Sequence, residues 1–357
     1  MKVVIIGAGV AGLAIGWRLA QAGSEVTILD RAQPASGASW AAAGMIAVTA
    51  ELADASAPEI EFARYANSLW PSFAEEVEAA SDRVIGFSRA GALILAADEA
   101  GLARLRKQTS EPGLEMLDAG QVRALAPMVT GPQEGALWSP KEARVDNRAL
   151  GIALSHAFQR AGGTLIANEA VVRIERQGGR AAIAHTPFGL YPADIFILAA
   201  GAWSGLLEEV LAPITPVKGQ MIALAPPRGA MPPQQVIWGN GIYAVPRGNR
   251  LLVGATVEDV GFDTKPTDAA RGSLRARAQA LMPGLMRWTL AEHWAGLRPR
   301  SPDGLPLLGP TKLDGLWLAG GQFRNGILFA PAIAQSVTAQ LLGKAAPIAA
   351  FDPRRLA

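Results

Sequence analysis

Short apolar runs and helical periodicity alternate at the start of the chain. Residues 3–6 form a continuous apolar run, which is typical of a parallel strand buried on both faces. A helical pattern follows and ends at residues 22–23, where Gly23 can adopt the left-handed conformation that closes a helix. A second apolar run at residues 25–29 ends at Asp30. This order predicts a β-α-β unit at the beginning of the chain.

The alternation of strand and helix patterns occurs again in two later parts of the chain, and a different pattern lies between these parts. A helix capped by Asp146 begins the first of these parts, and a strand followed by a helix at residues 326–342 forms the second. Strands are predicted at residues 91–96, 164–167, 171–175, 194–199, 213–225, 235–246, 250–256, 288–297 and 316–319. Further helices are predicted at residues 59–80, 98–108 and 268–282, and a loop of small residues that covers a ligand at 31–44.

These two later parts predict an α/β fold made of two discontinuous domains. A Rossmann-type domain would comprise residues 1–45, 140–210 and 300–357, and an α+β domain with an antiparallel sheet would comprise residues 46–139 and 211–299. The length of 357 residues agrees with two domains. Because 50% of the residues are hydrophobic and only 18% are charged, the composition is that of a globular protein.

Composition also excludes several kinds of partner and site. Lys and Arg number 33 against 31 Asp and Glu, which is not the balance of a nucleic-acid-binding protein. The absence of cysteine excludes disulfides and thiolate ligands, and the three histidines lack metal-ligand spacing, so no metal site is expected. The apolar residues 2–20 are interrupted by four glycines and carry Arg18, which predicts no membrane insertion and a cytoplasmic chain from which nothing is removed.

A glycine-rich motif lies between the first strand and the first helix. Its GxGxxG spacing suits a dinucleotide, because the first glycine makes a tight turn, the second lets the backbone approach a pyrophosphate, and the third packs the helix on the strand. Asp30 would accept hydrogen bonds from ribose hydroxyls. The motif does not distinguish NAD from FAD. The candidate residues are Gly7, Gly9, Val10, Ala11, Gly12 and Asp30.

Three further segments decide the cofactor by resemblance. Residues 37–45, 197–203 and 320–327 are similar to segments of the glycine oxidase and D-amino-acid oxidase family. The resemblance implies FAD, a Rossmann-type FAD-binding domain and a second, substrate-binding domain. A helix beginning at residues 325–326 would also aim unpaired N–H groups at an anionic ligand. The cofactor contacts implied by resemblance are Arg31, Ser39, Ala42, Ala43, Gly44, Met45, Val172, Ala200, Gly201, Trp203, Gly321, Arg324, Asn325, Gly326 and Ile327.

The substrate side rests on residues 294–299, which resemble the family segment whose arginine grips the substrate carboxylate. Arg298 matches that position, and a guanidinium fits a carboxylate through two parallel hydrogen bonds. Tyr243 matches a family tyrosine that can donate to the same carboxylate, and both residues are predicted to act in catalysis. Met45, Val257 and Arg324 match pocket-lining positions.

The resemblance implies an enzyme that oxidatively deaminates glycine or another small D-amino acid to an oxo acid, ammonia and hydrogen peroxide, with dioxygen as the acceptor. Three alternatives stay open: a flavin dehydrogenase with another acceptor, an NAD-dependent dehydrogenase, and a flavin-binding subunit of a larger complex. The oligomeric state, including a homo-oligomer, is also open.

The chain departs from the family pattern at two positions. Gln322 stands where the family often has His, and Asp30 stands where Glu is frequent. Both replacements keep hydrogen-bonding ability, so they weaken the substrate prediction more than the cofactor prediction. Lys218-Gly219-Gln220 matches a recurrent family segment and is expected to be structural.

Overall fold

Two large sheets organise the protein. The computed structural model describes residues 1–51, 55–108, 113–207 and 214–356. The strands in these ranges are β1 (Lys2–Ile6), β2 (Glu25–Leu29), β3 (Met45–Ile46), β4 (Ala92–Ala96), β5 (Glu115–Leu117), β6 (Gly135–Ser139), β7 (Ala143–Arg144), β8 (Thr164–Ile166), β9 (Arg173–Gln177), β10 (Arg180–His185), β11 (Leu190–Pro192), β12 (Ile195–Leu198), β13 (Thr215–Ala225), β14 (Val236–Gly239), β15 (Ile242–Arg247), β16 (Arg250–Gly254), β17 (Thr289–Arg300), β18 (Leu307–Pro310) and β19 (Leu316–Gly320).

Helices pack against both large sheets. They are α1 (Val10–Gln21), α2 (Ala38–Ala41), α3 (Ala57–Ser81), α4 (Glu99–Arg106), α5 (Ala119–Leu125), α6 (Asn147–Arg160), α7 (Asp268–Leu281) and α8 (Gly326–Leu341). Short 3-10 helices span Gly201–Leu206, Pro283–Arg287, Ala349–Phe351 and Pro353–Leu356. The Asp146 side chain accepts hydrogen bonds from the Arg148 and Ala149 amides, which confirms the predicted cap of α6. Helix α2 lies within the range for which a loop was predicted.

The first sheet is the predicted Rossmann-type sheet. Its strand order is β18-β19-β12-β1-β2-β8, and every pair is parallel except β18–β19 at the edge. The chain leaves β1, β12 and β19 at their carboxyl ends and enters α1, the 3-10 helix at Gly201–Leu206 and α8. Ligands of open α/β sheets bind at this edge. The sheet therefore confirms the α/β class and brings three distant segments together.

The second sheet has the order β17-β13-β16-β15-β14-β4-β6-β5. It was predicted to be antiparallel, and all of its pairs are antiparallel except β4–β14. These two strands are joined through a long excursion of the chain and not through a hairpin, so nothing forces an antiparallel pair. Helix α7 covers one face and packs Leu274 and Ala278 against Ile222 and Leu251.

Helix α3 lies in the range predicted for the second domain, but its apolar face packs on the first. Trp70 and Phe73 join the core cluster that contains Trp17 and Phe329. The Trp70 indole is fully buried, and its N–H donates to the Leu328 carbonyl of α8 at 2.9 Å. Packing of an amphipathic face, not chain position, decides where the helix belongs.

The apolar N-terminal segment is part of this same core. β1 is the central strand between β2 and β12, and α1 buries Leu13, Ile15 and Trp17. Burial inside the protein accounts for its hydrophobicity. Among the described residues, no helix has the length and apolar character needed to cross a membrane.

The packing of α3 can be tested with Trp70→Ala. The substitution removes a fully buried indole and its hydrogen bond, so the free energy of unfolding should fall by roughly 3 to 5 kcal/mol. Chemical denaturation followed by fluorescence measures the change. Glu75→Ala, at an exposed position of the same helix, is the control and should change it by less than about 0.5 kcal/mol. A loss for Trp70→Ala as small as that of the control would contradict the packing described.

Candidate active site

A cavity of about 480 Å³ lies where the carboxyl edge of the first sheet meets the second sheet. Residues from α1, α8, β13, β15 and β17 line it. The structure brings most of the sequence-predicted residues to this one surface. Those that line the cavity are Gly9, Val10, Ala11, Ser39, Ala42, Ala43, Gly44, Met45, Gly201, Tyr243, Val257, Arg298, Arg324, Asn325, Gly326 and Ile327.

The three glycines of the GxGxxG turn differ in their surroundings. Gly7 has φ +113°, and a Cβ added to Gly12 would overlap the Gly7 carbonyl oxygen. In contrast, the nearest atom to a Cβ on Gly9 would be Ser39 Oγ, at 3.4 Å. The first and third glycines are therefore needed for close packing, whereas the second leaves the backbone open to the cavity, as a pyrophosphate requires.

Asp30 joins the glycine-rich turn to the end of β2. One carboxylate oxygen accepts a hydrogen bond from the Ala8 amide at 2.6 Å, and the other accepts one from the Ala32 amide at 2.8 Å. Burial raises the pKa of Asp30, and these two hydrogen bonds oppose the increase. Each oxygen keeps a second lone pair for a ribose hydroxyl.

Helix α8 points its first turn at the cavity. Asn325 is the N-cap residue and makes no side-chain cap hydrogen bond, and its side-chain N–H donates to Glu59 Oε1 at 3.1 Å. The first-turn N–H groups of a helix have no acceptor within the helix. Gly326, Ile327 and Leu328 occupy that turn and line the cavity. The end of the cavity next to α8 therefore carries partial positive charge that suits an electron-rich ring or an anion.

The remaining predicted cofactor residues lie outside the cavity lining. Arg31 stacks on the Trp203 ring, with 3.6 Å between the guanidinium carbon and the ring centroid. Val172 is 60% exposed, and its contact with the cofactor stays a prediction. Gly7, Gly12, Asp30, Ala200 and Gly321 shape the surrounding turns without facing the cavity.

Arg298 lies on β17 in the second sheet and lines the same cavity as the glycine-rich turn. Its guanidinium donates to the Thr256 carbonyl oxygen at 3.1 Å and lies against Gly219, where an added Cβ would overlap it. Tyr243 lies close by. Burial raises the pKa of the Tyr243 phenol, and the Arg298 guanidinium opposes the increase. Arginine and tyrosine donors thus lie beside each other in the cavity.

Glu51, which the sequence analysis did not predict, also lines the cavity. Its side chain is 8% exposed and lies 3.9 Å from the Arg324 guanidinium. Burial raises the pKa of Glu51, whereas Arg324 and Arg298 lower it. Glu51 belongs to no recognisable motif, so only the structure shows that it sits between two arginines.

Trp238 is a second residue that sequence reasoning missed. It lines the cavity and packs on Tyr243 with 5.2 Å between ring centroids. Its indole N–H is buried and has no acceptor among the described residues. A buried donor without a partner is rare, so this N–H is available to a ligand.

Glu142, also missed, supports the segment that carries Glu51. One of its carboxylate oxygens accepts hydrogen bonds from the amides of Val48 at 2.9 Å and Thr49 at 2.6 Å. Burial raises the pKa of Glu142 to about 7. The described part of the chain contains no group of three His, Asp or Glu residues arranged to hold a metal ion.

Known proteins are similar to this chain over nearly its full length. The family model described as FAD dependent oxidoreductase (DAO) matches residues 2–341. Glycine oxidase of Pseudomonas aeruginosa is 34% identical over 370 residues, which cover 99% of this chain and 97% of that protein. The crystal structure of glycine oxidase from Geobacillus kaustophilus superposes with a TM-score of 0.94 at 31% identity and covers 99% of both chains.

A second kind of relative is longer than this chain. The bifunctional protein ThiO/ThiG of Trichormus variabilis is 36% identical over 334 residues, which cover 92% of this chain and 51% of that protein. This chain therefore spans about half the length of that bifunctional relative.

The raised pKa of Glu142 predicts a pH-dependent stability that Glu142→Gln should remove. The folded protein holds a proton that the unfolded chain releases near pH 4.5, so this contribution is complete below pH 4.5 and is lost as the pH rises to about 7. The loss amounts to about 3 kcal/mol at most. Unfolding free energies at pH 5 and pH 8 should therefore differ less in the variant than in the wild type. An equal difference in both proteins would contradict the shifted pKa.

Proposed function

Because this chain belongs to the DAO family of FAD-dependent oxidoreductases, we propose that it oxidatively deaminates glycine or another small amino acid to an oxo acid, ammonia and hydrogen peroxide. The observation that carries the proposal is that Arg298 and Tyr243 lie beside each other in a cavity that the glycine-rich turn also lines. Glycine oxidases at 31% and 34% identity support the choice of substrate class.

The residues of the cavity fit FAD. Gly9 leaves open backbone at the α1 terminus, and the first turn of α8 lines the cavity. Asp30, which holds the glycine-rich turn from outside the cavity lining, would offer lone pairs to a ribose. The two helix termini would favour the diphosphate and the electron-rich ring. Bound FAD would supply the two-electron oxidant.

Arg298 and Tyr243 would hold the substrate carboxylate. A guanidinium can donate two parallel hydrogen bonds to a carboxylate, and it stays charged at every pH at which the enzyme works. Binding of the carboxylate would hold the substrate in the cavity that the first turn of α8 also lines. Correct placement of reacting groups is a large part of many rate enhancements.

The charges near Arg298 also suit a carboxylate. The Arg298 and Arg324 guanidinium groups both act on the Glu51 carboxylate, so two positive charges face one negative charge. The carboxylate of an amino acid whose amine is neutral would supply the second negative charge.

The reaction needs few groups from the protein. The substrate loses two electrons and two protons to become an imine, water hydrolyses the imine to the oxo acid and ammonia, and dioxygen takes the electrons and protons to give peroxide. The titratable residues that line the cavity in the described ranges are Glu51, Tyr243, Arg298 and Arg324. A substrate whose amine arrives deprotonated requires no further base.

The visible spectrum of the purified protein tests the proposal. Anaerobic addition of glycine, sarcosine or a D-amino acid should bleach the flavin bands, and admission of air should restore them with one peroxide per turnover. Bleaching without reoxidation by air would replace dioxygen with another acceptor. A protein whose flavin bleaches with none of these amines would contradict the proposed reaction.

Arg298→Met should lower kcat/KM for the amine substrate by about 30- to 1000-fold, because charged hydrogen bonds to the carboxylate are lost. The variant should keep bound FAD, which an unchanged flavin spectrum checks. Arg287→Met, at an exposed position, is the matched control and should retain full activity. Full turnover by Arg298→Met would refute the carboxylate role.

A further inference from the structure

Lys218-Gly219-Gln220 lies in β13, and its side chains point to two different environments. Alternate residues of a strand face opposite sides of the sheet, so Lys218 and Gln220 share one side and Gly219 faces the other. Lys218 is 1% exposed and Gln220 is fully buried. Two buried polar side chains on one face of a strand need partners.

The hydrogen-bond and ion-pair partners of the Lys218 side chain all lie in one segment. Its ammonium donates to Asp263 Oδ2 at 2.7 Å and to the Lys265 carbonyl oxygen at 2.6 Å, and Glu258 Oε2 lies 3.9 Å away. The backbone of Lys218 exchanges two further hydrogen bonds with the backbone of Glu258. Residues 255–267, between β16 and α7, provide every one of these contacts; we call them the 255–267 segment.

Gln220 binds the same segment near both of its ends. Its amide N–H group donates to Glu258 Oε1 at 2.8 Å, and its carbonyl oxygen accepts from the Thr267 amide at 2.7 Å. Its backbone N–H donates to Thr256 Oγ1 at 2.8 Å. The 255–267 segment has no regular secondary structure of its own. Its path near the cavity therefore depends on hydrogen bonds from both the side chains and the backbone of Lys218 and Gln220.

The 255–267 segment reaches the cavity at its beginning. Ala255 and Val257 line the cavity, and the carbonyl oxygen between them, that of Thr256, accepts a hydrogen bond from Arg298. On the opposite face of β13, Gly219 leaves the space that the Arg298 guanidinium occupies. Gly219 thus lies directly against the Arg298 guanidinium, whereas Lys218 and Gln220 contact the segment whose Thr256 carbonyl binds it.

We propose that Lys218 and Gln220 are positioning residues for the substrate carboxylate. They fix the 255–267 segment, the segment places the Thr256 carbonyl, and this carbonyl orients the Arg298 guanidinium so that its other N–H groups face the substrate. The inference rests on the proposed function, because it assigns Arg298 to a carboxylate. It replaces the expectation that the motif is only structural.

The test uses the FAD-loaded protein and the variants Lys218→Met and Gln220→Leu. Acetate serves as an unreactive carboxylate whose binding perturbs the flavin spectrum. Misplacement of a binding group by a fraction of an ångström should raise the Kd of acetate and the KM of glycine by about 10-fold while kcat changes by less than about 3-fold. Glu258→Gln weakens the same linkage from the segment side and should give a smaller effect of the same kind.

Tyr191→Phe is the control for a purely structural loss. Tyr191 lies on β11 of the small β9–β11 sheet, outside the cavity lining, and its hydroxyl donates a hydrogen bond to Glu169. This variant should lower Tm without changing the Kd of acetate. If Lys218→Met and Gln220→Leu behave in the same way, with Tm lowered and both Kd and KM within about 2-fold of wild type, the two residues only stabilise the fold and the inference is wrong.

If the proposed function itself is wrong, the same measurements of acetate binding and turnover give a different result. A wild-type protein that binds no acetate and oxidises no amino acid overturns the carboxylate role of Arg298, and the inference with it. A wild-type protein that does both, with variants of unchanged affinity, overturns the inference alone. If Lys218→Met does not fold, Gln220→Leu and Glu258→Gln still decide between these outcomes.

Discussion

The Arg298 guanidinium has to be held in a partly buried cavity by partners that leave its charge in place. A carboxylate would orient it but would also neutralise it, whereas a carbonyl oxygen orients it and leaves the charge for a ligand. Thr256 supplies such a carbonyl, and the Lys218 carbonyl lies at the limit of hydrogen-bonding distance, 3.5 Å. The nearby carboxylate, Glu51, is shared with Arg324. Much of the second sheet can be understood from this requirement.

Glycine residues also help to hold the Arg298 guanidinium and its neighbours in place, because they let side chains approach the backbone closely. Gly219 gives the guanidinium its space, and Gly254 gives the Tyr243 ring its space, since an added Cβ would crowd each of them. Gly296 on β17 lets Ala41 approach the sheet, and the Trp294 indole donates to the Ala41 carbonyl at 2.9 Å. The small residues therefore bring the loop over the cofactor cavity and the substrate-side strands into direct contact.

On the cofactor side, the parallel sheet sets the geometry. β12, β1 and β2 are neighbours, and their carboxyl ends carry Gly201, the glycine-rich turn and Asp30. β19 lies next to β12 and leads to α8. Helix termini with unpaired N–H groups thus line the same cavity as donors from the second sheet, so this cavity suits anionic ligand groups.

The sequence alone determined the features that depend on neighbouring residues: the β-α-β unit, the Asp146 cap, the helix after residue 325 and, through motif resemblance, FAD. Motif resemblance also predicted the roles of Arg298 and Tyr243. These follow from local periodicity, capping and short spacings. The tertiary structure alone decided that α3 packs on the first domain, that β4 pairs parallel with β14, and that Glu51, Trp238 and Glu142 belong to the site. These features rest on contacts between segments far apart in the chain, and no local pattern encodes such a contact.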